Sequence, residues 1–103
     1  IGGRTYLASS VEVQKEKEEA EARLRGLLPS ELAALRVECE VKALAHHDPA
    51  AAICEEAEAF GADVICMGSH GHTRAGAALL GSVAQGVVAK AHRPVLTVPP
   101  PKL

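Results

Sequence analysis

The sequence VICMGSHG occupies residues 64–71 and joins four apolar residues to a loop that contains glycine. An unbroken apolar run without alternation is typical of a strand that is covered on both faces in a parallel sheet. The segment Ser82–His92, which follows the loop, carries apolar residues at helical spacing. We therefore expect the strand Val64–Met67 to lead through the loop into the N-terminus of a helix.

The loop has the residue types that bind phosphate. Glycines expose backbone N–H groups and allow close approach of an anion, and a helix N-terminus adds free amides and a positive partial charge. The hydroxyl groups of Ser69 and Ser82 can donate to phosphate oxygens, and His72 and Arg74 are polar groups of the intervening segment that could reach outward. The pattern predicts a phosphate-binding loop, although a tight strand-to-helix turn without a ligand would show the same glycines.

Two common phosphate-binding motifs are excluded. A Walker loop requires Lys after its second Gly, whereas Gly81 is followed directly by Ser82. A dinucleotide-binding fingerprint requires glycines at its first, third and sixth positions and an acidic residue about twenty positions later, and the sequence meets neither condition. The spacing found here is Gly68, two residues, Gly71, nine residues, and then Gly81-Ser82.

Length and composition indicate one small α/β domain, residues 1–103. Hydrophobic residues make up 48% of the chain, but Tyr6 and Phe60 are its only aromatic residues, so Ala, Val, Leu and Ile must build the core. The formal net charge of −2 argues against nucleic-acid binding. We expect no association with a membrane, since no apolar run approaches the ~18 residues of a spanning helix, and we expect a cytoplasmic protein.

Cysteines and histidines indicate neither a disulfide nor a metal site. Cys39, Cys54 and Cys66 lack paired spacing and occupy apolar positions, so we expect buried, reduced thiols. The neighbours His46 and His47 lie in a turn, and adjacent residues seldom point to one ion. We predict no metal site.

The N-terminal half predicts a helix, a short turn and a strand. Charged and apolar residues alternate at helical spacing over Val11–Leu28, which indicates an amphipathic helix. Ser30 is placed to cap a short turn that follows. Strict alternation over Arg36–Leu44 predicts a strand with one wet face, at the edge of a sheet.

The C-terminal half predicts two helices and two buried strands. Asp48-Pro49 favours a helix start and Gly61 a helix end. We expect the inward faces of these two helices to comprise Ile53, Ala57 and Phe60 in the first, and Val83, Val87, Val88 and Ala91 in the second. The last strand is Val95–Val98, and helices alternating with strands indicate parallel pairing.

From about Val13 to Pro99 the sequence resembles the universal stress protein family. The spacing of the glycine loop is that of the nucleotide-binding subgroup of this family. The other segments that carry the resemblance are a charged helix, Asp48-Pro49, Ala62–Ile65, Gly81–Ala84 and Pro94–Val98.

The resemblance implies a fold and a cofactor. The fold is the adenine nucleotide alpha hydrolase-like α/β class, a doubly wound parallel sheet of five strands in the order 3-2-1-4-5, of which about three are present here. The implied cofactor is ATP, accompanied by Mg²⁺. The residues implied to contact or to lie beside its ribose and phosphates are Gly68, Ser69, His70, Gly71, Gly81, Ser82 and Val83.

In the family, the first strand ends in an Asp that, with a residue of the second strand, holds the adenosine. This sequence has neither strand, so we expect residues 1–103 to be an N-terminally incomplete universal stress protein domain. Its expected function is ATP-dependent regulation in the stress response, as a homodimer that pairs through Val95–Val98. The alternatives are a slow ATPase and a nucleotide-free interaction or dimerisation domain of a larger protein.

Overall fold

The computed structural model describes residues 10–70 and 80–101 of the chain. The chain divides into two units, Ile1–Leu44 and Ala45–Leu103, which we describe separately. The expectation of a single domain over residues 1–103 stays a prediction. Among the described residues, no helix combines the length and apolar character needed to cross a membrane.

The first unit contains the long helix α1, Ser10–Gly26, which confirms the helix expected over Val11–Leu28. Its apolar residues remain exposed, including Val13 at 47% and Leu24 at 43%. The Glu21 side chain is half-buried, and its carboxylate accepts a hydrogen bond from the backbone N–H of Ala43 at 2.9 Å. This contact attaches the end of the unit to α1.

A short helix, α2, spans Glu31–Ala34 and differs from the prediction at its start. Ser30 precedes it but does not cap it, because Ser30 itself has helical dihedrals and its hydroxyl instead donates to the Glu31 carboxylate at 3.2 Å. After the helix, Arg36 adopts φ 58°, in the left-handed region, and the N–H of Val37 closes the turn onto the Leu32 carbonyl at 2.9 Å.

The strand predicted over Arg36–Leu44 is wrong for this structure. Residues 37–44 have no strand pairing, and the sheet of the described chain contains two strands rather than about three. Alternating side chains suit a strand, but a strand also needs a neighbour for its backbone groups. Here the Ala43 amide is satisfied by the Glu21 side chain instead.

The second unit begins with helix α3, Pro49–Phe60, whose ends match the prediction. The Asp48 carboxylate accepts a hydrogen bond from the Ala51 N–H at 3.2 Å, and Pro49 occupies the first helical position, where no N–H is needed. Gly61 ends the helix at φ 72°, a conformation that residues with a side chain rarely adopt.

Two parallel strands follow, β1 (Ile65–Gly68) and β2 (Val95–Val98). Ile65 is paired with Val95 and Gly68 with Val98, so the two strands run in register and end together. Helix α4, Ser82–Lys90, lies between them in sequence and ends two residues before the predicted His92. Parallel pairing is confirmed, and β1 begins one residue later than predicted.

Both helices pack on one face of the sheet. The core consists of Ala50, Ala57, Ile65 and Val87, and Val87 is completely buried. Gly86 allows α4 to approach α3 closely, since a Cβ atom at this position would lie 2.7 Å from the Cβ of Ala50. Small residues therefore set the spacing between the two helices.

The opposite face of the sheet is exposed, which corrects several predictions. Cys66 is exposed rather than buried between two layers, and Leu96 and Val98 are 58% and 49% exposed. Phe60 and Val88 are exposed as well, at 68% and 52%, because the core uses only the helix faces that meet each other and β1. A run of apolar residues thus does not imply two covered faces.

The three cysteines are free thiols, as predicted, but they are less buried than expected. Cys39 and Cys66 are exposed, and Cys54 is half-buried against the core. Cys39 belongs to the segment that forms no strand, and Cys66 points to the exposed face of the sheet. These positions explain why both thiols are exposed although the sequence predicted that they are buried.

Arg93 connects the turn after α3 to the start of β2. Its guanidinium donates at 2.8 Å to the carbonyl oxygens of both Ala57 and Ala62, and at 2.6 Å to the Glu58 carboxylate. The side chain is 17% exposed, and the carbonyls at the end of a helix need donors from outside it. Arg93 therefore stabilises the end of α3 and the entry into β1.

Asp48 also joins the two helices, which predicts an acid-dependent loss of stability. The Lys90 ammonium, which donates to its carboxylate at 3.0 Å, lowers the pKa of Asp48, and the Ala51 amide lowers it further. Because the pKa is lower in the folded state, ionised Asp48 contributes stability above its unfolded pKa of about 3.9, and the contribution disappears as the pH falls through the folded value.

We expect thermal unfolding midpoints, measured from about pH 7 to pH 3, to fall more steeply for the wild type than for Asp48→Asn. Asn keeps the capping acceptor but has no charge to offer Lys90. Lys90→Met should remove most of the same pH dependence. Parallel curves for the wild type and Asp48→Asn would contradict the role assigned to the ion pair.

Candidate functional site

The carboxyl ends of β1 and β2 meet the N-terminus of α4, and Ser69 connects all three. Its N–H donates to the Val98 carbonyl at 2.9 Å, and its carbonyl accepts from the Gly81 N–H at 2.6 Å. Ligands of parallel α/β sheets bind beyond the carboxyl ends of the strands. The predicted loop therefore begins and ends at the edge where a ligand is expected.

The Ser69 side chain is paired with its neighbour. Its hydroxyl lies 2.7 Å from Nδ1 of His70, and Ser69 is only 4% exposed. His70 is half-buried. Since both backbone groups of Ser69 are also bonded, the position of this pair is well defined.

The N-terminus of α4 has no side-chain cap. Gly81 occupies the N-cap position, its carbonyl accepts the first helical bond from the Gln85 N–H at 3.0 Å, and no side chain bonds to the helix start. The amides of Ser82, Val83 and Ala84 precede that first bond and have no acceptor within the helix. Among the described residues, these three amides have no backbone acceptor from another element.

Helices α3 and α4 differ in whether a side chain of the chain accepts a hydrogen bond from their N-terminal amides. Helix α3 begins with an acidic side chain that satisfies the Ala51 amide, whereas α4 begins with a glycine that can satisfy none. The Gln85 side chain donates to the Leu80 carbonyl at 2.7 Å and thereby fixes the residue before the N-cap. The helix start is held in place, and within residues 10–70 and 80–101 no backbone group accepts from its first three amides.

Neither described glycine of the site is required by backbone conformation. Gly81 has φ −64° and ψ 161°, an ordinary extended conformation. At Gly68 a Cβ atom would lie 3.7 Å from the His70 carbonyl oxygen, a normal contact distance. The lack of side chains at both positions is consistent with close approach of another molecule.

Six of the residues that the sequence singled out lie together at this edge of the sheet. They are Gly68, Ser69, His70, Gly81, Ser82 and Val83. Gly71 lies outside the described residues, as do His72 and Arg74. The sequence did not point to the Val98 carbonyl or the Gln85 side chain, although the common end of two parallel strands could have suggested the first.

Comparison with known proteins matches most of the chain to one family. The model described as "Universal stress protein family" matches residues 3–99. The chain is 50% identical over 46 residues to Universal stress protein MJ0577 of Methanocaldococcus jannaschii, which is 45% of this chain and 28% of that protein. It is 52% identical over 54 residues to Universal stress protein MJ0531 of the same organism, which is 52% of this chain and 32% of that protein.

These matched segments span less than a third of the length of either relative. No solved structure matches the chain. The family match covers far more than half of the chain, and the two parallel strands with their connecting helix agree with an α/β fold of the nucleotide alpha hydrolase-like class. The chain belongs to the universal stress protein family.

Proposed function

We propose that the chain is an ATP-binding regulatory domain of the stress response, with Mg²⁺ accompanying the nucleotide. The observation that carries the proposal is the uncapped N-terminus of α4, placed at the common end of two parallel strands. Three amides there lack acceptors within the helix, and the helix dipole adds a positive partial charge. Phosphate groups would satisfy both.

The surroundings of the helix start support phosphate over an uncharged ligand. The Ser82 hydroxyl is the first side chain of α4 and can donate to a phosphate oxygen. Gly68 and Gly81 have no side chain to hinder the approach of an anion to the backbone. No carboxylate occurs in the sequence between Gly68 and Lys90, so no side chain of this segment repels an anion.

The choice of ATP rests on the family and on the loop spacing. The glycines at 68, 71 and 81 and the serine at 82 follow the pattern of the nucleotide-binding subgroup. The three free cysteines support a location in the reducing cytoplasm, which completes the proposal.

We also propose that the domain forms a homodimer through β2. This strand has exposed apolar side chains, Leu96 and Val98, and it has one paired neighbour in the described sheet. An apolar strand with an open edge invites pairing with a second copy. Sedimentation velocity tests the dimer, and a mass of 10.7 kDa at all concentrations would contradict it.

Calorimetric titration with MgATP tests the nucleotide proposal. We expect saturable binding and a higher unfolding temperature with ATP, because a ligand that binds only the folded state stabilises it. Adenosine is the matched control, since it lacks the phosphates that the site should hold, and it should bind far more weakly. Absence of heat and of a thermal shift at millimolar MgATP would refute the proposal, and phosphate release over hours would reveal slow hydrolysis.

A further inference from the structure

We propose that Gln85 is a positioning residue of the phosphate site and that its side chain raises the affinity for MgATP by orienting the backbone before α4. The inference rests on the proposed function and adds a residue that the glycine pattern does not include. Gln85 is the fourth residue of α4 and is exposed. Its side-chain amide donates to the Leu80 carbonyl at 2.7 Å, so it holds the residue that precedes the N-cap.

The peptide unit between Leu80 and Gly81 is bonded at both of its polar groups. Its carbonyl oxygen accepts from the Gln85 side chain at 2.7 Å, and its N–H donates to the Ser69 carbonyl at 2.6 Å. A peptide unit is planar, so a bond on each side of it fixes its rotation about the chain direction. Gln85 and Ser69 together therefore set the orientation in which the chain enters α4.

A side chain supplies the donor for the Leu80 carbonyl. The hydrogen bonds of α4 begin one residue later, where the Gln85 N–H donates to the Gly81 carbonyl at 3.0 Å. Within residues 10–70 and 80–101, no backbone N–H donates to the Leu80 carbonyl. The residue type at position 85 therefore decides whether this carbonyl is bonded, and glutamine carries the amide donor that is needed.

The orientation of this peptide unit affects the amides that follow it. The N–H groups of Ser82 and Val83 come next along the chain and belong to the set that we propose to bind phosphate. A carbonyl oxygen carries a partial negative charge, so a Leu80 carbonyl turned toward these amides would repel a phosphate. In the structure, this oxygen accepts from the Gln85 side chain and from neither amide. Gln85 thus maintains the orientation that suits an anion.

The variant Gln85→Met tests the positioning role. Methionine resembles glutamine in length and helix propensity but donates no hydrogen bond, and an exposed position sets no packing demand. Without the bond, the peptide unit should hold the competent orientation about one fifth of the time, which is the population change expected from losing one neutral hydrogen bond. Calorimetric titration should show that the dissociation constant for MgATP rises about fivefold.

Gln14→Met is the matched control for this substitution. It also removes an exposed hydrogen bond of a glutamine side chain, to the Glu18 carboxylate within α1 at 3.1 Å. It should leave the dissociation constant for MgATP unchanged. The unfolding midpoints of both variants should stay within about 5 °C of the wild type, so titrations well below the midpoint compare folded proteins.

Amide hydrogen exchange in the nucleotide-free protein separates positioning from a general loss of stability. In Gln85→Met, the Gly81 amide should exchange faster than in the wild type, since its peptide unit loses one of two bonds. The Ala91 amide donates to the Val87 carbonyl at 2.8 Å, at the other end of α4, and its exchange should not change. A merely structural role of Gln85 would accelerate both.

Unchanged affinity for MgATP in Gln85→Met would overturn the inference and leave the proposed function in place. Equal weakening in Gln14→Met would also overturn it, as would equal acceleration of exchange at Gly81 and Ala91. Absence of MgATP binding by the wild type would instead refute the proposed function and this inference with it.

Discussion

Replacing Gly81 with valine should weaken MgATP binding at least about a hundredfold, because two or more charge-assisted hydrogen bonds from the start of α4 would be lost. The valine side chain would stand at the N-cap, beside the free amides of Ser82 and Val83. A phosphate held there could no longer approach the backbone closely. Calorimetric titration with MgATP measures the loss directly.

The fold should survive this substitution, which makes the result interpretable. Gly81 has φ −64° and ψ 161°, which valine adopts without strain. The free energy of unfolding of Gly81→Val should be lower than that of the wild type by no more than about 1 kcal/mol. The variant Ser82→Ala is the milder control, since it removes one hydroxyl and should cost about fivefold in affinity. Unchanged affinity in Gly81→Val would show that phosphate does not bind at the helix start.

Replacing Gly86 with valine should destabilise the second unit by about 3 kcal/mol, because the close approach of α3 and α4 leaves no room for a side chain. Its Cβ atom alone would lie 2.7 Å from the Cβ of Ala50, and neither atom can move away without moving its helix. Ala50 is itself buried, at 5% exposure. Urea unfolding followed by circular dichroism measures the change.

A double variant and a control variant test whether steric crowding between α3 and α4 causes the loss of stability in Gly86→Val. The double variant Ala50→Gly with Gly86→Ala moves one methyl group across the contact and should recover stability to within about 1 kcal/mol of the wild type, allowing for the low helix propensity of glycine. Gly26→Ala is the control in an open position, since nothing lies within 4 Å of its added Cβ. A large loss of stability there, or none in Gly86→Val, would contradict the packing argument.

Local signals predicted the second unit well. The Asp48-Pro49 start, the Gly61 end and the parallel strands were all visible in the sequence, because each depends on neighbouring residues or on a short apolar run. The edge where Ser69 and Gly81 meet followed from the strand, loop and helix order alone. These features need no knowledge of distant partners.

Distant partners explain what could not be predicted. Alternation over residues 36–44 indicates a strand but cannot supply the neighbouring strand that a ladder requires. Phe60 and Val88 follow helical spacing, yet only the faces where α3 meets α4 and β1 are buried. The contacts of Arg93 span more than 30 residues, and a sequence pattern gives no sign of which carbonyls it will reach.

Helices α3 and α4 differ in whether the chain itself supplies a negative charge at the helix N-terminus. Asp48 belongs to the chain, so α3 carries its own anion wherever the protein is found and loses it only in acid. At the start of α4, Gly81 provides nothing comparable, and the phosphate that we propose to bind there would come from solution. By mass action, the stability of that first turn would then follow the concentration of whatever solute binds there. The stability of the first turn of α3 would not depend on such a solute, whereas that of the first turn of α4 would.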